Sequence, residues 1–280
     1  MFGIAKRSGR RAGVRRRRSR AGMTVVTVVV VAVAGLAFSV AMMGGCGADN
    51  SEGRADFQEP ISVGKALAAE DGLKLVVQGF LLCEGDEIRL CERVLESFPP
   101  QCGGDFLKIE GVEPIDFVGL VSPAASSVGR EVSWSDQPRT VVGVKSGSTL
   151  AMQEVPTRVE TTADQVRVRF SYAPQPLNQR GRVTWFFDVS NLGLEPLTLL
   201  FSTGQKGDVV LMRGADEVYR FGADKAFTEA MEEVTIEGGA RWGFALEDEL
   251  DVATGDVEVV ARVTTRLPAL PELALQSRVE

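Results

Sequence analysis

A period-two alternation recurs through the second half of this chain, and few folds can accommodate it. Val166, Val168 and Phe170 alternate with Arg167, Arg169 and Ser171. In a second run Val183, Trp185, Phe187 and Val189 share one side, against Arg182, Thr184, Phe186 and Asp188. In a third, Val257, Val259, Ala261 and Val263 fall on one face. Successive side chains of a strand point to opposite faces, so each run predicts a half-buried strand rather than a helix. Turn chemistry separates the runs: residues 178–181, residues 191–196, Gly214 with Asp216, Gly222 with Asp224, and Gly238 with Gly239. About seven strands at that spacing predict a β-sandwich of immunoglobulin type over residues 153–266. It has no Cys-Trp-Cys pin, so Trp185 is expected to fill the core alone. Pro268 and Pro271 cannot donate to a ladder, and residues 267–280 are expected to leave the sheet as a tail.

Residues 61–152 show shorter strands. Leu73, Leu75 and Val77 alternate with polar neighbours, and Gly79 within that run suggests a bend. Glu84, Gly85, Asp86 and Glu87 form a hairpin signal before Ile88. Further strands are expected at residues 106–110, 131–134 and 140–144, the last continuing past Ser146, Gly147 and Ser148. Many short strands with glycine bends predict a small OB-like barrel. The fold class is therefore all-β, with Pro156 in the junction between the two domains.

The N-terminus is of another kind. Residues 1–22 carry nine Lys and Arg and no acid, and a 21-residue apolar run, 23–43, follows. A basic region, an apolar region and small residues before a cleavage point are the parts of an export signal. Gly44, Gly45 and Cys46 resemble a lipobox, which implies lipidation of Cys46. The apolar run would also span about 31 Å as a helix, enough for an uncleaved anchor. Either way residues 1–46 tether the rest to a membrane on its extracytoplasmic face, through a polar segment at 47–60.

The chain has 31 basic and 38 acidic residues; without the nine basic residues of the leader the balance is 22 against 38, or −16. That charge opposes nucleic acid binding. There is no histidine, which excludes a Ser-His-Asp triad, a Cys-His pair and a His-ligated zinc. The chain is read as a binding protein rather than an enzyme, with no catalytic residue, metal or cofactor expected. Glu247, Asp248, Glu249 and Asp251 lack Ca²⁺-loop spacing and read as a solvated edge. With Cys46 assigned to lipid, Cys83, Cys91 and Cys102 remain for an oxidising compartment that favours one disulfide. Cys91 with Cys102 closes a short loop over Pro99 and Pro100, and Cys83 with Cys91 is the rival pairing.

Two resemblances add to this reading. Val76, Gln78, Gly79 and Phe80, then residues 88–91 and 97–104, resemble an N-terminal module of actinobacterial secreted lipoproteins, which supports pairing of Cys91 with Cys102. Residues 196–205, Asp208, Val209 and Val210, Gly214, residues 217–220 and residues 227–230, in that order, are similar to the intracellular proteinase inhibitor (BsuPI) family. The chain departs from that family's pattern at Gly207, Val209, Tyr219 and Glu229. The resemblance implies an immunoglobulin-like domain that binds a serine protease. The expected contact loop is Ser202, Thr203, Gly204, Gln205, Lys206 and Asp208, with residues 222–225 beside it. A non-inhibitory cell-envelope adaptor that binds surface proteins or wall components is the alternative.

Overall fold

The computed structural model describes residues 59–124, 129 and 131–280. The leader, Cys46 and all but the last two residues of the tether lie outside the described residues. Among the described residues no helix is long and apolar enough to cross a membrane.

The first domain is a barrel. It comprises β1 (Ile61–Ser62), α1 (Val63–Ala68), β2 (Lys74–Glu84), β3 (Glu87–Leu95), β4 (Gln101–Glu110), β5 (Val132–Trp134), β6 (Arg139–Ser146) and β7 (Thr149–Ala151). Sheet order β2-β3-β4-β7-β6 closes on itself because β6 also pairs with β2, giving an OB-like five-stranded barrel. Gly79 sits where β2 exchanges partners: it is the last residue paired to β6, and Phe80 is the first paired to β3. A Cβ there would stand 2.7 Å from the Cys91 carbonyl, so only glycine lets the strands approach. Leu75, Val77 and Leu81 fill the barrel, whereas Leu73 precedes β2 and is exposed.

Cys91 and Cys102 are disulfide-bonded and Cys83 is free and buried. Pleating decides this. Cys83 stands opposite Ile88 and packs with it inside the barrel, while Cys91, three residues further along, packs outside with Leu82 and Val132. Burial pushes the Cys83 thiol up to about 11, against a hydrogen bond from Ser133 and the charge of Arg241, so it behaves as a small apolar group.

The second domain is built from β8 (Arg158–Ala163), β9 (Val166–Ala173), β10 (Arg180–Asn191), β11 (Leu197–Phe201), β12 (Gly207–Arg213), β13 (Asp216–Arg220), β14 (Glu232–Ile236), β15 (Arg241–Asp251), β16 (Gly255–Val263), β17 (Thr265–Leu267) and β18 (Leu273–Val279). Its sheets are β15-β10-β9-β8, β13-β12-β16-β18 and the three-stranded β14-β11-β17. Phe170, Trp185, Phe187, Leu211 and Val259 pack between them as one core. The result is an immunoglobulin-like sandwich.

The expected tail is a strand instead. Pro268 and Pro271 fall in the connection before β18, so every ladder donor of β18 is present, and it pairs with β16 over seven residues. Leu273 and Val279 are buried by it. A proline vetoes only its own position, which leaves the next strand free to form.

A second departure concerns the polar side of β9 and β10. Alternation describes one buried face, but here both are buried. Arg169 and Asp188 are each 0% exposed, and they stand opposite one another in register. The Arg169 Nε donates to Asp188 Oδ1 at 2.9 Å and Nη2 donates to Oδ2 at 2.8 Å. What covers them is the barrel's segment 115–119. Arg169 Nη1 donates to the Ile115 carbonyl at 2.7 Å, and the Gly119 N–H donates to Asp188 at 3.1 Å. Arg139 of β6 lies 3.6 Å over the Phe186 ring and donates to the Val118 carbonyl at 2.5 Å. Beyond this, Val121 pairs with Trp134 of β5 and Ser122 pairs with Arg241 of β15, which splices the barrel sheet to the sandwich sheet through main-chain bonds. Barrel and sandwich accordingly belong to one compact unit, Ala55–Glu280.

Candidate functional site

The residues singled out as a contact loop connect β11 to β12, at a corner where the chain changes sheets. Phe201 ends β11 buried against Trp242, with ring centroids 5.8 Å apart, and fixes where the loop departs. The Gly204 N–H donates to the Thr228 carbonyl at 3.0 Å. A Cβ on Gly204 would stand 2.5 Å from Thr228 Oγ1, which explains why glycine occupies this position. The Gln205 N–H donates to Thr203 Oγ1 at 3.3 Å and its Nε2 donates to the Gly207 carbonyl at 3.1 Å.

The return crossing, from β16 to β17, runs alongside. There the Thr264 N–H donates to the Lys206 carbonyl at 3.0 Å, and the Thr264 hydroxyl donates to the Gln205 carbonyl. Lys206 places its Nζ 4.3 Å over the Phe201 ring and forms an ion pair with Glu232. Ser202 is exposed, Thr203, Gly204, Gln205 and Lys206 are half-buried, and Gly207 and Asp208 are buried. The loop is thus fixed by its own neighbours and presents mainly residues 202–206.

Asp208 lies within β12 and supports the loop from below. Its Oδ2 accepts from Arg220 Nη1 at 2.7 Å and from Arg262 Nη2 at 2.8 Å, the latter its partner in register on β16. At 3% exposure its carboxylate holds those two guanidiniums in place and offers no free surface.

The 222–225 turn does stand beside the loop. A Cβ on Gly222, whose φ is +84°, would be 3.3 Å from Gln205 Nε2 and 3.0 Å from the Phe227 ring. Phe227 packs on buried Phe221 at 6.3 Å. Lys225 reaches back to Asp248 at 2.9 Å, which also accepts from the Tyr219 hydroxyl at 2.7 Å.

The acidic run therefore does not act as a unit. Asp248 points from β15 toward Tyr219 and Lys225, whereas Asp251 pairs with Arg180 at 2.8 Å. Burial raises the Asp248 pKa, but the Lys225 and Tyr219 bonds and the Glu249 N–H outweigh it and hold the carboxyl below the usual range. Burial, reinforced by the Asp248 charge, keeps the Tyr219 hydroxyl protonated well beyond its usual range. The sign for stability follows. A depressed carboxylate contributes fully above its unfolded pKa, near 3.9, and the contribution is lost as pH falls below that value toward the folded one. Urea midpoints of the parent and Asp248→Asn should therefore differ at pH 6 and converge between about pH 4 and pH 2. A constant difference across that window would assign the effect to the amide's shape instead.

Two apolar side chains near the loop carry no signal in the alternation. Met231 is 64% exposed and Leu267 is 60% exposed. Pairing of Phe201 with Glu232 sets Met231 just beyond the ladder, beside the end of β11 near Ser202, while Leu267 stands on the other side of β11 opposite Leu200, two residues before Ser202. Only the strand register reveals where they stand. Among the described residues no group of His, Cys, Asp or Glu could hold a metal ion.

No curated protein matches the chain. A solved structure of a β-glucosidase from Erythrobacter marinus aligns with 45% of this chain at 10% identity and a TM-score of 0.25. The chain spans 16% of that protein, and so slight a likeness carries no argument. The motif pieces that meet around this corner do have a counterpart: residues 159–266 match the model of the BsuPI family, described as intracellular proteinase inhibitor.

Proposed function

We propose that this chain is a membrane-tethered, extracytoplasmic binding protein whose sandwich docks on a serine protease and inhibits it. The family match over residues 159–266 carries the reading. A cross-braced loop with an exposed Ser202, close to exposed Met231, supports it, because a surface fixed before binding loses little freedom on docking. The basic leader and apolar run support action outside the membrane, and on this reading what carries over from the family is the mode of binding and not the compartment. Nothing in this role needs catalysis by the chain itself.

The full chain in a non-ionic detergent should slow one or more of a panel of serine proteases in a saturable way. Ser202→Arg, a change at an exposed position, should weaken that inhibition about tenfold or more, the loss typical of one central interface residue. The barrel should stay attached in such assays, since cutting before β8 would strip the cover from Arg169 and Asp188. If a folded chain slows no member of the panel, the inhibitor reading falls. Recovery of a transport or wall-binding complex from membranes would then favour the adaptor.

A further inference from the structure

The sandwich face that meets the barrel carries a second row of polar side chains beside the Arg169–Asp188 pair. Strand pairing sets Ser190 directly between Arg167 on β9 and Arg241 on β15. All three lie on the same face as Asp188, two residues along β10 from Ser190. Ser190 is 4% exposed and its Oγ has no hydrogen-bond partner. The Nε atoms of Arg167 and Arg241 are also buried and unpartnered. Three of the five such atoms among the described residues thus fall on one cross-strand row.

Charge is out of balance at the same place. Neither Arg167 nor Arg241 belongs to any ion pair among the described residues. The nearby carboxylate, Asp188, is taken up by both of its bonds to Arg169. Burial draws the Arg241 guanidinium below its ordinary range; Asp188 and Cys83 oppose that, while Arg169 and Arg167 add to it. Two guanidiniums flanking one hydroxyl in a partly buried row repel each other and leave donors unmet. Water could accept from the donors but would leave the charge uncompensated. An anion with several acceptor oxygens meets both needs.

The geometry points to a binding site for a small oxyanion of the phosphate or sulfate class, held between Arg167 and Arg241 with the Ser190 hydroxyl donating to it. Both arginines are half-buried, so the row opens to solvent at its rim and can be filled after folding. Because Arg241 also pairs through its main chain with Ser122 of the barrel, a bound oxyanion would strengthen the junction of the two domains.

Inorganic phosphate and sulfate are the probes, each titrated calorimetrically into the full chain in non-ionic detergent against sodium chloride of equal ionic strength. The expected result is a saturable heat and, at about a hundred times Kd, a rise in Tm of roughly 5 °C over chloride. Arg167→Gln and Arg241→Gln should each weaken binding about tenfold or more, while exposed Arg278→Gln should leave it unchanged. In chloride alone Arg241→Gln should be no less stable than the parent, since it relieves like-charge repulsion. Absence of a saturable heat overturns the site. So does a rise in Tm shared equally by parent and both variants, which is the general effect of excluded salts.

Discussion

Asp188→Ala should lower the free energy of unfolding by about 3–5 kcal/mol, the usual cost of leaving one member of a buried ion pair without its partner. The reason lies in what Arg169 would retain. Its side chain is 0% exposed, and after the change its charge would face only the carbonyls of Ile115 and Phe117, at 2.7 and 3.4 Å. The Gly119 N–H would lose its acceptor as well. Double replacement, Arg169→Met with Asp188→Leu, should recover part of the loss because no charge then needs desolvation. Recovery should stay incomplete, since Ile115 and Gly119 keep polar groups with no partner. Urea unfolding of the three variants and the parent tests this. A single-variant loss under about 1 kcal/mol would mean that water enters the junction, so that the pair does not act as a dry clamp.

Trp185→Ala should cost a similar amount, about 3–5 kcal/mol, from lost transfer energy and the cavity left behind. Trp185 is 0% exposed and packs on Phe170, Tyr172 and Tyr219, with centroids 6.2, 5.9 and 5.9 Å away. Its loss also loosens Tyr219, whose hydroxyl holds Asp248, so the damage should reach the 222–225 turn through Lys225. Trp185→Phe, which keeps an aromatic ring in the core, should cost clearly less. Chemical denaturation with fluorescence from the remaining Trp134 and Trp242 measures both. Equal losses for Ala and Phe would shift the explanation from volume to the indole N–H, which lies 3.4 Å from the Tyr219 oxygen.

The two cases mark what can be read from one dimension of a chain. Trp185 was legible as core because three apolar neighbours share its side at period two. The hairpin at residues 84–87 was legible because its turn residues are local, and Glu84 does pair with Glu87. Asp188 was not legible as buried. Its partner lies 19 residues away and its cover 69 residues away, and alternation reports a strand's two sides without saying that both are covered. The β18 strand is hidden in the sequence because Pro268 and Pro271 signal an end to the sheet, whereas each removes only its own donor. Around the loop, the order of motif pieces was plain in sequence. The inward burial of Asp208 and the placing of Met231 and Leu267 on the two sides of β11 depend on register between distant strands.

The corner at Thr264 has a kinetic and calorimetric corollary. Residues 205 and 206 cannot rearrange without freeing the crossing from β16 to β17, so a visitor to Ser202 meets a surface already in its final form. Association there should behave as a rigid-body encounter, with one relaxation phase and a rate that rises linearly with concentration. Its heat-capacity change should match the apolar area covered, with no added share from a segment that orders on contact.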